Sequence, residues 1–100
     1  MTEDDETRLR RLKMRSWRRG MKEMDLILGA FADGPLAALP EDQTAVYEAL
    51  LSENDQDLYL WITARLNPGP GKPLGPAALA SMLDRIADHA TAAFQGGSDS

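Results

Sequence analysis

The chain has 100 residues, a formal net charge of −5 and no cysteine. This length fits a single domain, and the absence of cysteine excludes disulfides, thiolate metal sites and cysteine nucleophiles. The N-terminal sequence MTEDDETR is acidic and resembles neither a signal peptide nor an arginine-rich transit peptide, and no apolar run approaches the roughly 20 residues that span a bilayer. These features favour an intracellular protein without direct membrane insertion.

Charge is distributed unevenly along the chain. Residues 1–7 carry four acids and no base, residues 8–22 carry eight bases and no acid, and residues 23–100 carry twelve acids and three bases. The protein is therefore predicted to have an acidic body with one basic end. Such a charge distribution can steer the molecule towards an acidic partner, or it can pair one copy with another.

The hydrophobic pattern is helical throughout and lacks strand-like alternation. It predicts five helices in chain order, at about 4–19, 21–32, 41–52, 53–66 and 76–93. Their predicted boundary residues are Thr2, Asp4 or Asp5 as the first N-cap, Gly34 and Pro35 as the second stop, and Pro40, Asn54 and Pro76 as later starts. Five short helices with short links predict a small, compact, all-α five-helix bundle.

Each predicted helix has one apolar side that is expected to face the core. These positions are Leu9, Leu12 and Ser16; Met21, Met24, Ile27, Leu28 and Phe31; Val46, Tyr47, Leu50 and Leu51; Leu58, Trp61, Ile62 and Leu66; and Leu79, Met82, Leu83, Ile86 and Ala90. The predicted organisation is an acidic, flexible extension over 1–7, one helical domain over 8–94 and a disordered tail over 95–100. Residues 67–76, with four prolines and three glycines, are predicted to form a loop.

The sequence offers no constellation that is typical of catalysis or metal binding. In PGPGKP, Lys72 is followed by Pro73 where a phosphate-binding loop has serine or threonine, and no strand precedes the segment. In NDQD, Tyr59 stands where a calcium loop needs its third ligand. His89 is the only histidine. We therefore expect no catalytic residue, no metal site and no enzyme activity.

A stripe of basic residues forms one side of the first predicted helix, about 80° wide if the helix continues to residue 22. Its members are Arg8, Arg11, Arg15, Arg18 and Lys22. They could form a solvated face, bind nucleic acid with Trp17 stacking on bases, or donate to carboxylates of an acidic protein. Membrane-surface binding is a fourth option, with few apolar anchors. The acidic remainder of the chain counts against nucleic acid.

The sequence Arg19-Gly20-x-x-Glu23 follows this stripe and admits two interpretations. In the first, Gly20 ends the helix and Arg19 and Glu23 form an exposed ion pair. In the second, the missing Cβ of Gly20 lets a partner's backbone approach, while Arg19 offers a planar donor group that Glu23 holds in place. The residues alone leave this choice open.

Two blocks of the sequence resemble a known family. RRGMKEMDLILGAF, residues 18–31, resembles the RGxxE signature of the small succinate dehydrogenase assembly factors, the bacterial flavinylation factors and their mitochondrial counterparts. YEALLSENDQDLYLW, residues 47–61, resembles their downstream pattern of paired leucines, a D-x-D-L segment and a tryptophan. The resemblance implies an all-α five-helix bundle that binds the flavoprotein subunit of succinate dehydrogenase or fumarate reductase. It also implies a chaperone that promotes covalent attachment of FAD to that subunit.

The same resemblance implies which residues meet the partner. Arg19, Gly20 and Glu23 are expected at the interface, and the second-rank contacts are expected to be Arg15, Arg18 and Asp25. The FAD is expected to belong to the client, with no cofactor stably bound by this chain. We expect a free monomer in the bacterial cytoplasm that binds no nucleic acid. The alternative is a nucleic-acid-binding helical module that uses the basic helix Arg8–Lys22.

Overall fold

The computed structural model describes residues 4–95, with side chains up to residue 92. This range contains five α-helices and no strand. The helices are α1 (Asp5–Trp17), α2 (Lys22–Asp33), α3 (Glu41–Leu50), α4 (Asp55–Leu66) and α5 (Ala80–Gln95), with short 3₁₀ helices at Pro35–Ala38 and Ala77–Leu79. The predicted all-α five-helix bundle is confirmed.

The predicted N-caps of two helices are confirmed by their hydrogen bonds. The Asp4 carboxylate accepts from the Thr7 backbone N–H at 2.7 Å, and this backbone bond lowers the pKa of Asp4. The Asn54 side chain accepts from the backbone N–H of Gln56 at 2.8 Å. Each cap satisfies a donor that the first helical turn leaves without a partner. Thr2, the other proposed cap, lies outside the described residues.

Several predicted boundaries differ from the structure by one to four residues. The first helix ends at Trp17 rather than residue 19, and Arg18 has non-helical dihedral angles of −123° and 51°. Pro35 does not simply stop α2, because it begins the 3₁₀ helix that buries Leu36. Pro76 precedes a second 3₁₀ helix, so α5 starts only at Ala80. Proline suits these positions because its fixed φ fits the first residues of a helical segment.

Most predicted core residues are buried in one cluster to which all five helices contribute. Tyr47 is fully buried, its ring stacks on Phe31 at 5.3 Å, and its hydroxyl pairs with that of Ser16 at 2.6 Å. Burial raises the pKa of Tyr47 to about 12. Leu66, predicted to face the core, is 41% exposed, because it is the last residue of α4 and points away from the cluster.

The predicted loop over residues 67–76 contains no helix and is fastened to α4. Gly75 has a positive φ of 88°, and a Cβ there would lie 2.7 Å from the Trp61 ring, so only glycine fits. Arg65 donates to the Leu74 carbonyl at 2.7 Å. The indole and the guanidinium of α4 therefore hold the far end of the loop.

The two expected terminal segments are only partly described. Helix α1 begins at Asp5, within the range 1–7 that was expected to be flexible, and α5 extends to Gln95. The other residues of these segments, 1–3 and 96–100, lie outside the described range. Within residues 4–95, no helix is both long and apolar enough to cross a bilayer.

Candidate functional site

The turn between α1 and α2 is fixed by two carboxylates. Instead of continuing the helical ladder of α1, the backbone N–H of Arg19 donates to Asp25 in the first turn of α2. The backbone N–H of Gly20 donates to Asp55 Oδ2 at 2.6 Å, across to the start of α4. Both N–H groups follow the end of α1, and the carboxylates hold them in one geometry.

The Arg19 side chain points into the protein, towards the connection between α3 and α4. Its Nε donates to Asp55 Oδ1, its Nη1 to the Leu51 carbonyl at 2.7 Å, and its Nη2 to the Glu53 carbonyl at 2.9 Å. The side chain is only 10% exposed. All three nitrogens of the guanidinium therefore have partners within the chain.

Asp55, and not Glu23, holds the Arg19 guanidinium. Among residues 4–92, no hydrogen bond or ion pair joins Arg19 to Glu23, so the expected pair between them is absent, both as an exposed ion pair and as a positioning contact. Glu23 lies exposed at the second position of α2. In the sequence, Asp55 belongs to the NDQD segment and to the D-x-D-L block, and neither pattern indicates that it binds Arg19.

The two sequence blocks that carry the family resemblance meet in space through Asp55. One carboxylate oxygen bonds the side chain of Arg19 and the other bonds the backbone of Gly20. The sequence did contain an indication of this contact, because both blocks belong to one family pattern. Their separation of 35 residues gave no geometric reason to pair them.

Gly20 is exposed, and its backbone does not require glycine. Among the described glycines only Gly71 and Gly75 have positive φ. A Cβ at Gly20 would meet one atom within 4 Å, Asp55 Oδ2 at 3.3 Å, and open space otherwise. Close approach of the carboxylate to the Gly20 backbone therefore explains the glycine locally, and the remainder of its surface is free for a partner.

The predicted single basic ridge is wrong, because α1 ends at Trp17 and its N-terminal half faces α3. Arg8 bonds both oxygens of Glu41, at 2.8 and 2.6 Å, and it also pairs with Glu48 at 3.3 Å. Arg11 pairs with Glu48 at 2.9 Å. The Glu41 contact raises the pKa of Arg8. Although desolvation opposes it, the pairing with Arg11 and Arg8 lowers the pKa of Glu48.

Arg15 and Arg18 have a different environment. Arg15 lies 3.5 Å from the Ser52 hydroxyl, and Arg18 is exposed, with no ion pair to any residue between 4 and 92. Together with other residues of α1 and the α3 terminus they line an open groove of about 510 Å³. Its lining residues are Arg11, Met14, Arg15, Arg18, Arg19 and Leu51.

Trp17 packs on α2, which counts against base stacking. Its ring lies directly over Gly29, where a Cβ would come within 2.4 Å of the indole. Its Nε1 is 3.2 Å from both carboxylate oxygens of Asp33. The ring remains 42% exposed, but the adjacent carboxylate would repel a phosphate backbone. Trp17 is therefore poorly suited to stack on the bases of a nucleic acid bound in the basic groove.

The predicted site residues thus fall into two groups. Arg18, Gly20 and Glu23 are exposed, and Arg15 is half-buried with one 3.5 Å contact to Ser52, so a partner can reach these four. Arg19 and Asp25 instead stabilise the turn from within. Between residues 4 and 92, no group of three or more metal-ligating side chains is placed to hold an ion. The arrangement is suited to recognition of a partner surface.

The sequence as a whole is similar to one family of known proteins. Residues 10–90 match the family model described as the flavinator of succinate dehydrogenase. A relative from Drosophila grimshawi, named succinate dehydrogenase assembly factor 2, mitochondrial, is 36% identical over 84 residues, which cover 82% of this chain and 53% of that protein. A relative of the same name from Aspergillus terreus is 44% identical over 61 residues, which cover 61% of this chain and 21% of that protein.

A third relative, from Drosophila persimilis, is named succinate dehydrogenase assembly factor 2-A, mitochondrial, and is 43% identical over 67 residues, 65% of this chain and 41% of its own length. The chain thus spans about a fifth to about half the length of these relatives. All three names specify the mitochondrion, which contradicts the expected bacterial cytoplasmic location. Since the family model covers four fifths of the sequence, the chain belongs to the family of succinate dehydrogenase flavinators.

Proposed function

We propose that this protein binds the flavoprotein subunit of succinate dehydrogenase, or of the related fumarate reductase, and promotes covalent attachment of FAD to it. The family description and the names of the relatives support the connection with succinate dehydrogenase assembly. The specific steps, binding of the flavoprotein and promotion of FAD attachment, are our proposal for this chain.

The observation that carries the proposal is the α1–α2 turn. Asp55 and Asp25 hold its backbone, and Gly20 and Glu23 remain exposed on it. A turn that is already fixed before binding loses little conformational freedom on association. The exposed surface of the turn is therefore suited to recognise a partner of defined shape.

Each predicted site residue has a role in this proposal. Glu23 accepts a hydrogen bond from the flavoprotein, and the partner's backbone approaches Gly20 on the side away from Asp55. Arg19 acts as a positioning residue, since its guanidinium fastens the turn to the α3–α4 connection. Asp25 fastens the same turn to α2. Two further contacts come from Arg15 and Arg18, which donate to partner carboxylates.

The protein acts in this proposal as a chaperone and not as an enzyme. The client supplies both the nucleophilic histidine and the FAD, and this chain binds no cofactor stably. Its contribution is to hold the flavoprotein in an arrangement that brings the histidine to the flavin. Correct positioning of two reacting groups can lower a barrier by several kcal/mol, so no catalytic side chain is needed. The free protein is proposed to be a monomer.

A reconstitution with matched variants tests the proposal. The purified flavoprotein subunit and FAD are incubated with or without this protein, and covalent flavin is measured by fluorescence in a denaturing gel. Glu23→Ala removes an exposed acid at the second position of α2. Asp42→Ala removes an exposed acid at the second position of α3 and is the control. Circular dichroism checks that both variants are folded.

We expect the wild-type protein and Asp42→Ala to increase covalent flavin to the same level. Glu23→Ala should require at least about tenfold more protein for the same effect, since a hydrogen bond to a charged group contributes roughly 1.5 to 3 kcal/mol. If the wild-type protein leaves covalent flavin unchanged, the proposed function is wrong. If Glu23→Ala retains the full effect as Asp42→Ala does, the role of Glu23 is wrong.

A further inference from the structure

The groove lined by Met14, Arg15, Arg18 and Leu51 lies beside the α1–α2 turn and combines basic with apolar side chains. We infer that this groove docks an acidic segment of the flavoprotein subunit, one that carries an apolar side chain between its carboxylates. This inference rests on the proposed function, because it takes the flavoprotein as the client. It extends the contacts proposed for Arg15 and Arg18 to a groove with an apolar base and wall, and it defines the chemistry that the client must present there.

The shape of the groove allows a short peptide segment to bind. Its volume is about 510 Å³, within the range of roughly 300 to 1,000 Å³ that is common for binding pockets. Leu51, which is buried, forms its base at the end of α3, and Met14 forms an apolar wall and is 48% exposed. A methionine is unbranched and adapts to the side chain that packs on it.

The charges of the groove select an acidic occupant. Arg11 and Arg19 already pair with Glu48 and Asp55. Arg15 and Arg18 have no ion pair with any side chain between residues 4 and 92, so they bring positive charge that an incoming carboxylate can neutralise. Arginine forms paired hydrogen bonds with a carboxylate, which gives geometric selectivity as well as attraction.

An acidic protein segment fits the groove better than a nucleic acid. The side chains between the arginines are Met14 and Leu51, which offer packing to an aliphatic group and no aromatic face to a base. The nearest aromatic residue along α1, Trp17, lies over Gly29 and beside Asp33. An apolar centre surrounded by charged groups is the usual arrangement of residues that dominate protein–protein binding.

The groove and the turn form one continuous surface. Arg18 and Arg19 line the groove and precede Gly20 directly in the chain. A flavoprotein that contacts Gly20 and Glu23 therefore has its surface next to the groove. A client segment can enter it without a second, separate binding event, and long-range attraction by the arginines would speed the encounter.

Binding measurements with charge-matched variants test the inference. The dissociation constant between the full chain and the purified flavoprotein subunit is measured by isothermal titration calorimetry at several salt concentrations. The groove variant is Arg15→Glu with Arg18→Glu. The control variant is Arg10→Glu with Arg85→Glu, which makes the same charge change at two exposed positions outside the groove. Circular dichroism confirms that both are folded.

We expect the groove variant to bind at least about tenfold more weakly than wild type and with a smaller dependence on salt. The control variant should stay within about threefold. A second pair tests the apolar wall. Met14→Ser should weaken binding about fivefold at every salt concentration. Leu60→Ser, which changes an exposed apolar residue of α4, should leave binding unchanged.

The outcomes separate this inference from the proposed function. If wild type binds and increases covalent flavin but the groove variant binds equally well, the docking inference is overturned and the proposed function stands. If wild type does not bind the flavoprotein, both are overturned. Tight, groove-dependent binding of a single-stranded DNA oligonucleotide in place of the flavoprotein would overturn the inference in favour of nucleic acid. If wild type sediments as a dimer and the groove variant as a monomer, with flavoprotein binding unchanged, the inference is overturned and the groove belongs to a contact with a second copy.

Discussion

The arginines at the two ends of α1 have different partners. In the N-terminal half, Arg8 and Arg11 pair with carboxylates of α3. At the C-terminal end, Arg15 and Arg18, the residue that follows the helix, face a groove and have no ion pair with the side chains of residues 4–92. The difference comes from the element opposite each half. The facing helix α3 presents Glu48 to the first half, whereas its C-terminal end presents Leu51 to the second.

The partners of a run of charged residues are therefore set by the element that each part of the run packs against. The same reasoning applies to the motif at the end of α1. Arg19 is bound within the chain like Arg8, whereas Gly20 and Glu23 are exposed like Arg18. A motif can therefore contain residues that stabilise a surface and residues that present it. Substitutions can separate the residues that stabilise the surface from those that present it.

At neutral pH, removal of Asp55 should produce the largest effect of any single substitution considered. Asp55→Ala leaves the mostly buried guanidinium of Arg19 without its anion and the backbone N–H of Gly20 without its acceptor. We expect the free energy of unfolding in urea to fall by about 2 kcal/mol and flavin attachment to fall with it. Asp57→Ala, an exposed acid in the same turn of α4, should change stability by less than about 0.5 kcal/mol. Equal losses in both would contradict the role of Asp55.

Tyr47 of α3 pairs with Ser16 on the buried side of α1, and it should make the stability of the protein sensitive to alkali. Burial raises the pKa of Tyr47 from 10.0 to about 12, so the unfolded state loses its proton first as pH rises. Stability should therefore fall between pH 10 and pH 12, by up to about 2 to 3 kcal/mol at the upper end.

Urea unfolding at several pH values checks this expectation with two phenylalanine variants. Tyr47→Phe loses the hydroxyl contacts to Ser16 and Leu28, which should cost about 1 kcal/mol at neutral pH, and it should flatten the alkaline decline. Tyr59→Phe leaves Tyr47 in place and should retain the decline. An unchanged alkaline decline in Tyr47→Phe would exclude Tyr47 as its source.

Sequence reasoning predicted the architecture well because it depends on local periodicity. The buried residues of α5, such as Met82, Leu83 and Ile86, follow the helical spacing of three and four. The caps Asp4 and Asn54 were also predicted, since a cap depends on residues within one turn. Boundaries beside proline were less accurate, because the short 3₁₀ helices there have no distinct hydrophobic period.

The contacts of the candidate site could not be predicted in the same way. The bonds from Arg19 and Gly20 to Asp55 join residues about 35 positions apart, and helical spacing gives no information about such pairs. Glu23 was the nearest acid along the sequence and was therefore chosen as the partner of Arg19. The division of the arginine stripe depended likewise on the packing of α3, which no local pattern encodes.

A direct test of this division compares Arg8, in the N-terminal half of α1, with Arg18, which directly follows the helix. Arg8→Ala should lower the free energy of unfolding by about 1 kcal/mol, because Arg8 joins two carboxylates and is mostly buried. Arg18→Ala should stay within about 0.5 kcal/mol of wild type. Affinity for the flavoprotein subunit should show the reverse order, with a loss only for Arg18→Ala. Similar stability losses for the two variants would remove the distinction.

The smallest expected effect is the acid sensitivity that Glu48 gives to the N-terminal half. Desolvation opposes ionisation of Glu48, but hydrogen bonds and charge from Arg11 and Arg8 outweigh it and lower the pKa below 4.5. The unfolded state therefore takes up the proton first as pH falls. The stabilisation is complete above the unfolded pKa and is lost as pH falls from about 4.5 through the lower, folded value. Because Glu48 is one third exposed, solvent screening limits the effect to a few tenths of a kcal/mol.

Urea unfolding between about pH 3 and 6 measures this acid dependence of stability. Glu48→Gln should flatten the dependence, whereas Glu23→Gln, which removes an exposed acid outside the pairing, should keep the wild-type slope. If both variants kept that slope, the pairs with Arg8 and Arg11 would contribute nothing measurable to stability, and only the geometry of α3 would distinguish the two halves of the helix.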